Sequence, residues 1–145
     1  MNFKYFDNII SEINLITNNY LIFGQTIIDI YLNQIPKSIN IVTTEDLTVF
    51  INYLNNKNIY YKKDIILSFN ISEINYKIYF ENNSYKNFLS KQITTMNSIA
   101  IDNNLNIIDY FNGLNDIDKK KIKLLDNNIV YEDKKIMIKI IRYAS

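Results

Sequence analysis

The stretch from Tyr20 to Thr43 leaves this chain few ways to fold. A short apolar run, Tyr20 to Phe23, ends at Gly24, one of only two glycines in 145 residues. A glycine directly after a buried-strand pattern lets the backbone turn through conformations closed to other residues. Thr26 to Leu32 then continues as a short helix, stopped by the loop before Pro36. Ile39 to Val42 reads as a second strand. Strand, glycine turn, helix and strand in such quick succession describe an α/β unit. Positions 38 and 40 are two apart on the second strand, so Ser38 and Asn40 share a face.

The remaining segments extend the same pattern. Phe3, Phe6, Ile9, Ile10, Ile13 and Ile16 recur at helical spacing and predict an opening amphipathic helix to about Thr17. Thr43, with Asp46 three residues on, resembles a helix N-cap opening a helix through Phe50 and Leu54. Asp64–Ile71 and Ile74–Phe80 read as strands, with a hairpin turn within Asn70–Glu73. The second alternates cleanly through Ile74, Tyr76, Ile78 and Phe80, which implies one buried face. A short helix is expected over Ser84–Lys91, then short strands at Asn97–Ile101 and Asn106–Tyr110. Glu132 to Ala144 predicts the last helix, with Ile136, Met137, Ile140 and Ile141 on one side and Lys135, Lys139 and Arg142 on the other. The fold class is α/β (α+β), a mixed sheet flanked by helices in one domain.

Composition narrows the chemistry. The chain has no cysteine and no histidine, which removes thiolate nucleophiles, Cys-type zinc sites and the commonest general base. Any metal has to be a hard ion held by oxygens. No apolar run approaches a membrane span, so a soluble, cytoplasmic protein is expected. Heavy use of Ile, Asn, Lys and Tyr looks like an AT-rich genome, which widens that expectation to the interior of an organelle or endosymbiont. Net charge is +1, but residues 119–145 sum to +5 and the rest to −4. A basic C-terminal segment points to phosphate or RNA, or to a plain solvated lysine face.

Residues 24–43, GQTIIDIYLNQIPKSINIVT, resemble the signature of the tRNA nucleotidyltransferase (CCA-adding enzyme) and bacterial poly(A) polymerase family, roughly G-G-x-V-R-D-x-L-L-G-x-x-P-x-D-x-D-I-V-T. Gly24, Ile27, Asp29, Leu32, Pro36, Ile41, Val42 and Thr43 fall on family-like residues without gaps. Further elements follow in family order. Residues 91–98, KQITTMNS, keep Thr95 and Asn97 of an R-R-D-F-T-I-N-A-like element but carry Gln92 and Ile93 for its arginine–aspartate pair. DYFNGLNDI keeps Asp109, Gly113, Leu114 and Asp116 of a D-P-x-G-G-L-x-D-L element. EDKKIMIKIIRY keeps Glu132, Asp133, Arg142 and Tyr143 of the E-D-x-x-R element, with Ile136 at its base-reading arginine.

The resemblance implies a nucleotidyltransferase-like head over 1–131, with the 39–43 strand central, and the start of a neck-type helix over 132–145. The family's further neck and body are expected to be missing. It also implies a nucleotide site, of which Gly24, Gln25, Asp29, Asn97 and Asp133 are the remnant. The two aspartates that hold divalent ions in family enzymes fall on Ser38 and Asn40, the second glycine on Gln25 and the arginine on Ile28. The expectation is therefore a non-catalytic relic with no metal and no cofactor, kept as an RNA-, nucleotide- or protein-binding module. Lys135, Lys139, Arg142, Ile136 and Ile140 are its candidate surface for RNA, tRNA, a protein partner or a second copy. Asp109 and Asp116 read as turn or capping residues. Two alternatives stay open: an active RNA 3′-end nucleotidyltransferase holding magnesium on displaced Glu45, Asp46 or Glu81, and an unrelated small α/β structural protein.

Overall fold

The structure, a computed structural model, describes residues 3–125. The predicted helix at 132–144, with Asp133, Lys135, Ile136, Lys139, Ile140 and Arg142, lies outside the described residues. Helix α1 spans Phe6–Asn14, entered by a 3-10 turn at Phe3–Tyr5, and ends before the expected Thr17. Strand β1 (Leu21–Phe23) runs through Gly24 into α2 (Gln25–Tyr31), and β2 spans Ile39–Thr43. Then follow α3 (Thr48–Asn56), β3 (Tyr61–Lys63), β4 (Leu67–Ile71), β5 (Ile74–Phe80) and α4 (Tyr85–Ser90). A 3-10 turn at Met96–Ser98 leads to β6 (Ala100–Asp102), β7 (Ile107–Ile108) and α5 (Gly113–Asp118).

The strands form one mixed sheet in the order β3-β4-β5-β2-β1-β6-β7, which puts β2 at its centre. β2 and β5 pair in parallel and the other neighbours antiparallel. Side chains alternate between the two faces, and the faces differ in kind. One buries Ile22, Ile39, Ile41, Leu67, Phe69, Tyr76, Ile78 and Ile101 under Phe6, Ile9 and Ile13 of α1 and Phe50 and Leu54 of α3. Each such large apolar side chain contributes roughly 1.5–3 kcal/mol by burial. The other face is covered only in part. Leu21, Phe23, Val42 and Ala100 pack under Leu89 of α4, with Tyr79, Phe88 and Ile108 at the margin.

Three expectations need correction. Thr43 does not cap α3: its hydroxyl donates to Asn19 O at 2.7 Å and accepts from Glu45 N–H at 3.1 Å, closing a turn. The helix starts five residues later, where Asp46 Oδ1 accepts from Thr48 N–H at 2.9 Å. Residues 64–66 are a turn rather than strand, and Ile65 is 88% exposed. The strand there is Tyr61–Lys63, an edge whose lysines carry no apolar alternation. The expected strand at Asn97–Ile101 begins only at Ala100, because Met96–Ser98 form the 3-10 turn. The hairpin falls where expected, as a two-residue loop at Ser72 and Glu73, both with positive φ (51° and 67°) as a type I′ turn demands.

Buried phenols make the fold sensitive to alkali. Burial, reinforced by Glu12 and Tyr5, pushes the Tyr76 hydroxyl up to about 12. Burial pushes Tyr20 up as well, reinforced by Asp102 and Tyr76, and its hydroxyl donates to Asn14 Oδ1 at 2.9 Å. An unfolded tyrosine titrates near pH 10. Between that value and the raised one the unfolded chain binds fewer protons, so stability is complete below about pH 10 and falls as pH rises toward 12. Thermal melts from pH 8 to 11 are expected to hold steady and then drop, with a shallower drop for Tyr76→Phe. Identical alkaline slopes in the two proteins would exclude Tyr76 as a source.

Candidate functional site

The site is built around Gly24. Its backbone sits at φ 73°, ψ −135°, a region open only to glycine. A Cβ there would lie 3.7 Å from Asn97 O and 3.9 Å from Asn40 Nδ2, so dihedral strain rather than crowding requires the glycine. Gly24 N–H donates to Ile99 O at 3.2 Å, and Gly24 O accepts from Ile27 N–H at 2.9 Å. The turn is thereby held against Ile99, just after the 96–98 turn, on one side and α2 on the other. Thr26 completes the joint: its buried hydroxyl donates to Ser38 O at 3.0 Å and accepts from Asn40 N–H at 2.9 Å. It fixes the backbone of both candidate positions at the start of the central strand.

In front of this joint lies a cleft of about 270 Å³ on the partly covered sheet face. Four carboxamides line it (Gln25, Asn40, Gln92 and Asn97), beside Gly24 and Ile93. Its wall is aromatic. Phe23 meets Tyr79 at 5.2 Å and Phe88 at 4.9 Å between ring centroids, both edge-on. A second hollow of about 300 Å³ lies beside Tyr5, Ile30 and Asn33. It is slightly larger but contains none of the candidate site residues, so the smaller cleft is the candidate site.

Of the positions singled out in the sequence, Gly24, Gln25, Asn40 and Asn97 converge here. Ser38 stands behind Asn40, its Oγ 3.4 Å from Asn40 Oδ1 on the same face. Asp29 does not line the cleft; it accepts a 2.7 Å hydrogen bond from Gln25 Nε2 and orients that side chain from α2. Ile28, at the arginine position of the signature, is buried in the core. Thr26, Phe23, Tyr79 and Phe88 escaped the sequence reading. Tyr79 carried a signal, being the one aromatic out of phase with the Ile74–Phe80 alternation.

Solved structures share this fold over nearly the whole chain. One described as a tRNA-processing enzyme in an apo form superposes with a TM-score of 0.85 at 20% identity, over 97% of this chain and 42% of its own. A tRNA nucleotidyltransferase complexed with a primer tRNA and an incoming ATP analog gives 0.80 at 20% identity, over 94% and 44%. The Thermotoga maritima CCA-adding enzyme complexed with tRNA gives 0.78 at 18% identity, over 94% and 37%. The fold is that of a tRNA nucleotidyltransferase head region. This chain spans less than half the length of these structures. No protein-family model and no curated protein matches the sequence.

In this nucleotidyltransferase head fold the residues at the signature's aspartate positions do not fit a divalent ion. Magnesium surrenders water to anionic oxygens, whereas Ser38 and Asn40 offer a hydroxyl and a carboxamide. Among the described residues no group of three or more acidic side chains could hold a metal. The displaced carboxylates are not brought to the cleft. Glu81 N–H donates to Thr43 O at 2.9 Å, which puts Glu81 level with the far end of β2, roughly 10 Å along the strand from Asn40. Its Oε1 accepts from Asn83 N–H at 3.1 Å. Asp46 is held below the usual carboxylate range, first by its hydrogen bonds from Thr48 and then by Lys63. Asp109 takes the capping role expected of it, whereas Asp116 makes a tertiary contact instead of a cap or turn. Asp109 accepts from Gly113 and Leu114 N–H at 2.7 and 3.1 Å and caps α5, while buried Asp116 accepts from Thr95 Oγ1 at 2.5 Å.

Among the described residues no helix is long and apolar enough to cross a membrane.

Proposed function

We propose that this chain is a non-catalytic nucleotidyltransferase-like head, kept as a binding module for RNA, a nucleotide or a protein partner. One observation carries the reading: the central strand of the head fold presents Ser38 and Asn40 where metal-holding aspartates are expected. Removing a single group that stabilises transition-state charge commonly costs on the order of a hundred- to a thousandfold in rate. Such losses do not simply multiply, but here Gln25 and Ile28 remove two further phosphate-handling features. Solved structures of this fold hold tRNA, which makes tRNA or another RNA the first partner to try. The division into a head over 1–131 and a neck-type helix over 132–145 belongs to the same proposal. So does the candidate surface of Lys135, Lys139, Arg142, Ile136 and Ile140.

The test is incorporation of labelled CTP or ATP at the 3′ end of tRNA and of unstructured RNA, with magnesium and with manganese. No incorporation is expected with either ion. Turnover that disappears in Glu81→Ala or Asp46→Ala would instead establish catalysis by displaced carboxylates.

A further inference from the structure

We infer that the cleft before Gly24 is a metal-independent site for an uncharged nucleobase, carried by a free nucleoside or by an unpaired RNA position, and that a triphosphate adds nothing to its affinity. The inference rests on the non-catalytic reading and names the ligand class that reading leaves open.

Its first ground is the chemistry of the lining. Among the described residues no acidic or basic side chain lines the cleft. A carboxamide carries both donors and acceptors, the same mixture that a base edge displays. All four carboxamides are held, Asn97 through its Oδ1, which accepts from Thr94 Oγ1 at 2.6 Å. Gln25 Nε2 donates to Asp29 at 2.7 Å, Gln92 Nε2 donates to Phe88 O at 3.3 Å, and Asn40 Oδ1 accepts from Ser38 Oγ at 3.4 Å. Gln25 and Gln92 thereby present acceptors to a ligand, and Asn40 a donor. Such preorganisation spares a ligand the cost of ordering the side chains.

The second ground is shape. The aromatic wall of Phe23, Tyr79 and Phe88 supplies the surface on which a heterocycle packs whatever its sequence. At about 270 Å³ the cleft falls just short of pockets for drug-sized ligands, which run from roughly 300 to 1,000 Å³. A base with part of its ribose fills that space, and a triphosphate would extend beyond it. Electrostatics select the same ligand. A triphosphate needs cations, and burying its charge against amides and aromatic rings is unfavourable.

The same sheet face offers contacts to a single phosphate. Lys77 on β5 is the register partner of Asn40, and Lys62 follows two strands further along the row through Ser68. Their side chains share the face of Asn40 and suit a backbone phosphate of RNA beyond the cleft.

The experiment is calorimetric titration of the full chain with cytidine, adenosine, ATP, and a short single-stranded RNA, each with magnesium and with EDTA. Nucleosides are expected to bind with dissociation constants that differ less than twofold between magnesium and EDTA, and ATP no more tightly than adenosine. Asn40→Leu and Gln92→Leu are each expected to weaken nucleoside binding at least tenfold while leaving the melting temperature unchanged. If RNA is the source of the base, the oligonucleotide binds at least tenfold more tightly than the nucleoside, and Lys77→Glu removes that gain. If free nucleosides are the source, oligonucleotide and nucleoside bind alike and Lys77→Glu changes neither. Folded protein that binds no nucleoside and no RNA overturns the inference. ATP binding tenfold tighter than adenosine and abolished by EDTA also overturns it, yet leaves the non-catalytic reading standing if incorporation is still absent. Incorporation of nucleotide overturns the non-catalytic reading itself.

Discussion

Replacing Gly113 with valine is expected to leave the protein unfolded at ordinary temperature, and replacement with alanine to remove most of its stability. A Cβ at position 113 would meet Thr95 O at 2.3 Å and Ile99 Cγ1 at 2.7 Å. The first obstacle is backbone, so the side chain cannot be accommodated by a rotamer change alone. Either α5 or the segment through Thr95 has to move. Forced overpacking of this kind typically costs about 1–3 kcal/mol. Displacement also strains the buried contact between Thr95 Oγ1 and Asp116 Oδ2, and a buried polar group left unpaired costs roughly 1–3 kcal/mol more. Together these approach the roughly 5–15 kcal/mol by which domains are stable. Gly24→Ala makes the informative comparison, because its cost comes from backbone dihedrals, on the order of 1–3 kcal/mol. Urea melts of Gly113→Ala and Gly24→Ala measure both. A Gly113→Ala protein within about 1 kcal/mol of wild type would show that α5 does not pack as closely as described.

The fold was legible in the sequence where one mechanism dominated locally. Strand β5 follows its alternation at its centre, where Tyr76 and Ile78 reach the core and Lys77 cannot. It does not at its ends, where Ile74 is half-buried and Phe80 is exposed. Gly24 marked its turn because the dihedrals there exclude other residues. Edge strand β3 was invisible for the opposite reason: Tyr61, Lys62 and Lys63 pair through their backbone and bury little. Thr43 misled because its hydroxyl found partners at Asn19 and Glu45 rather than at a helix start. The cleft was half legible. Gly24, Gln25, Asn40 and Asn97 stood out through the resemblance, whereas Phe23 lies in a strand buried on both faces and reads as core. Thr26 could not be found at all, because its partners, Ser38 O and Asn40 N–H, are 12 and 14 residues away.

Asn40 and Ile41 are neighbours in sequence, yet carboxylates placed there are expected to have opposite fates. Ile41 is fully buried beneath the α1 and α3 side of the sheet. An aspartate in its place is an unpaired charge among apolar groups, with an effective penalty of several kcal/mol on top of the lost apolar burial. Ile41→Asp should therefore fail to fold near neutral pH. Asn40 faces the cleft, where Ser38 Oγ lies 3.4 Å from its Oδ1. Ser38→Asp with Asn40→Asp should fold but lose stability, because two carboxylates that close resist ionising together. A divalent ion relieves the repulsion by binding both. Millimolar manganese should then raise the melting temperature of the double variant by roughly 2–8 °C for each kcal/mol recovered and leave that of the wild type unmoved. Nucleotide incorporation should stay absent, because Gln25 and Ile28 still stand where the signature has a glycine and an arginine. A folded double variant indifferent to manganese would show that positions 38 and 40 cannot share an ion.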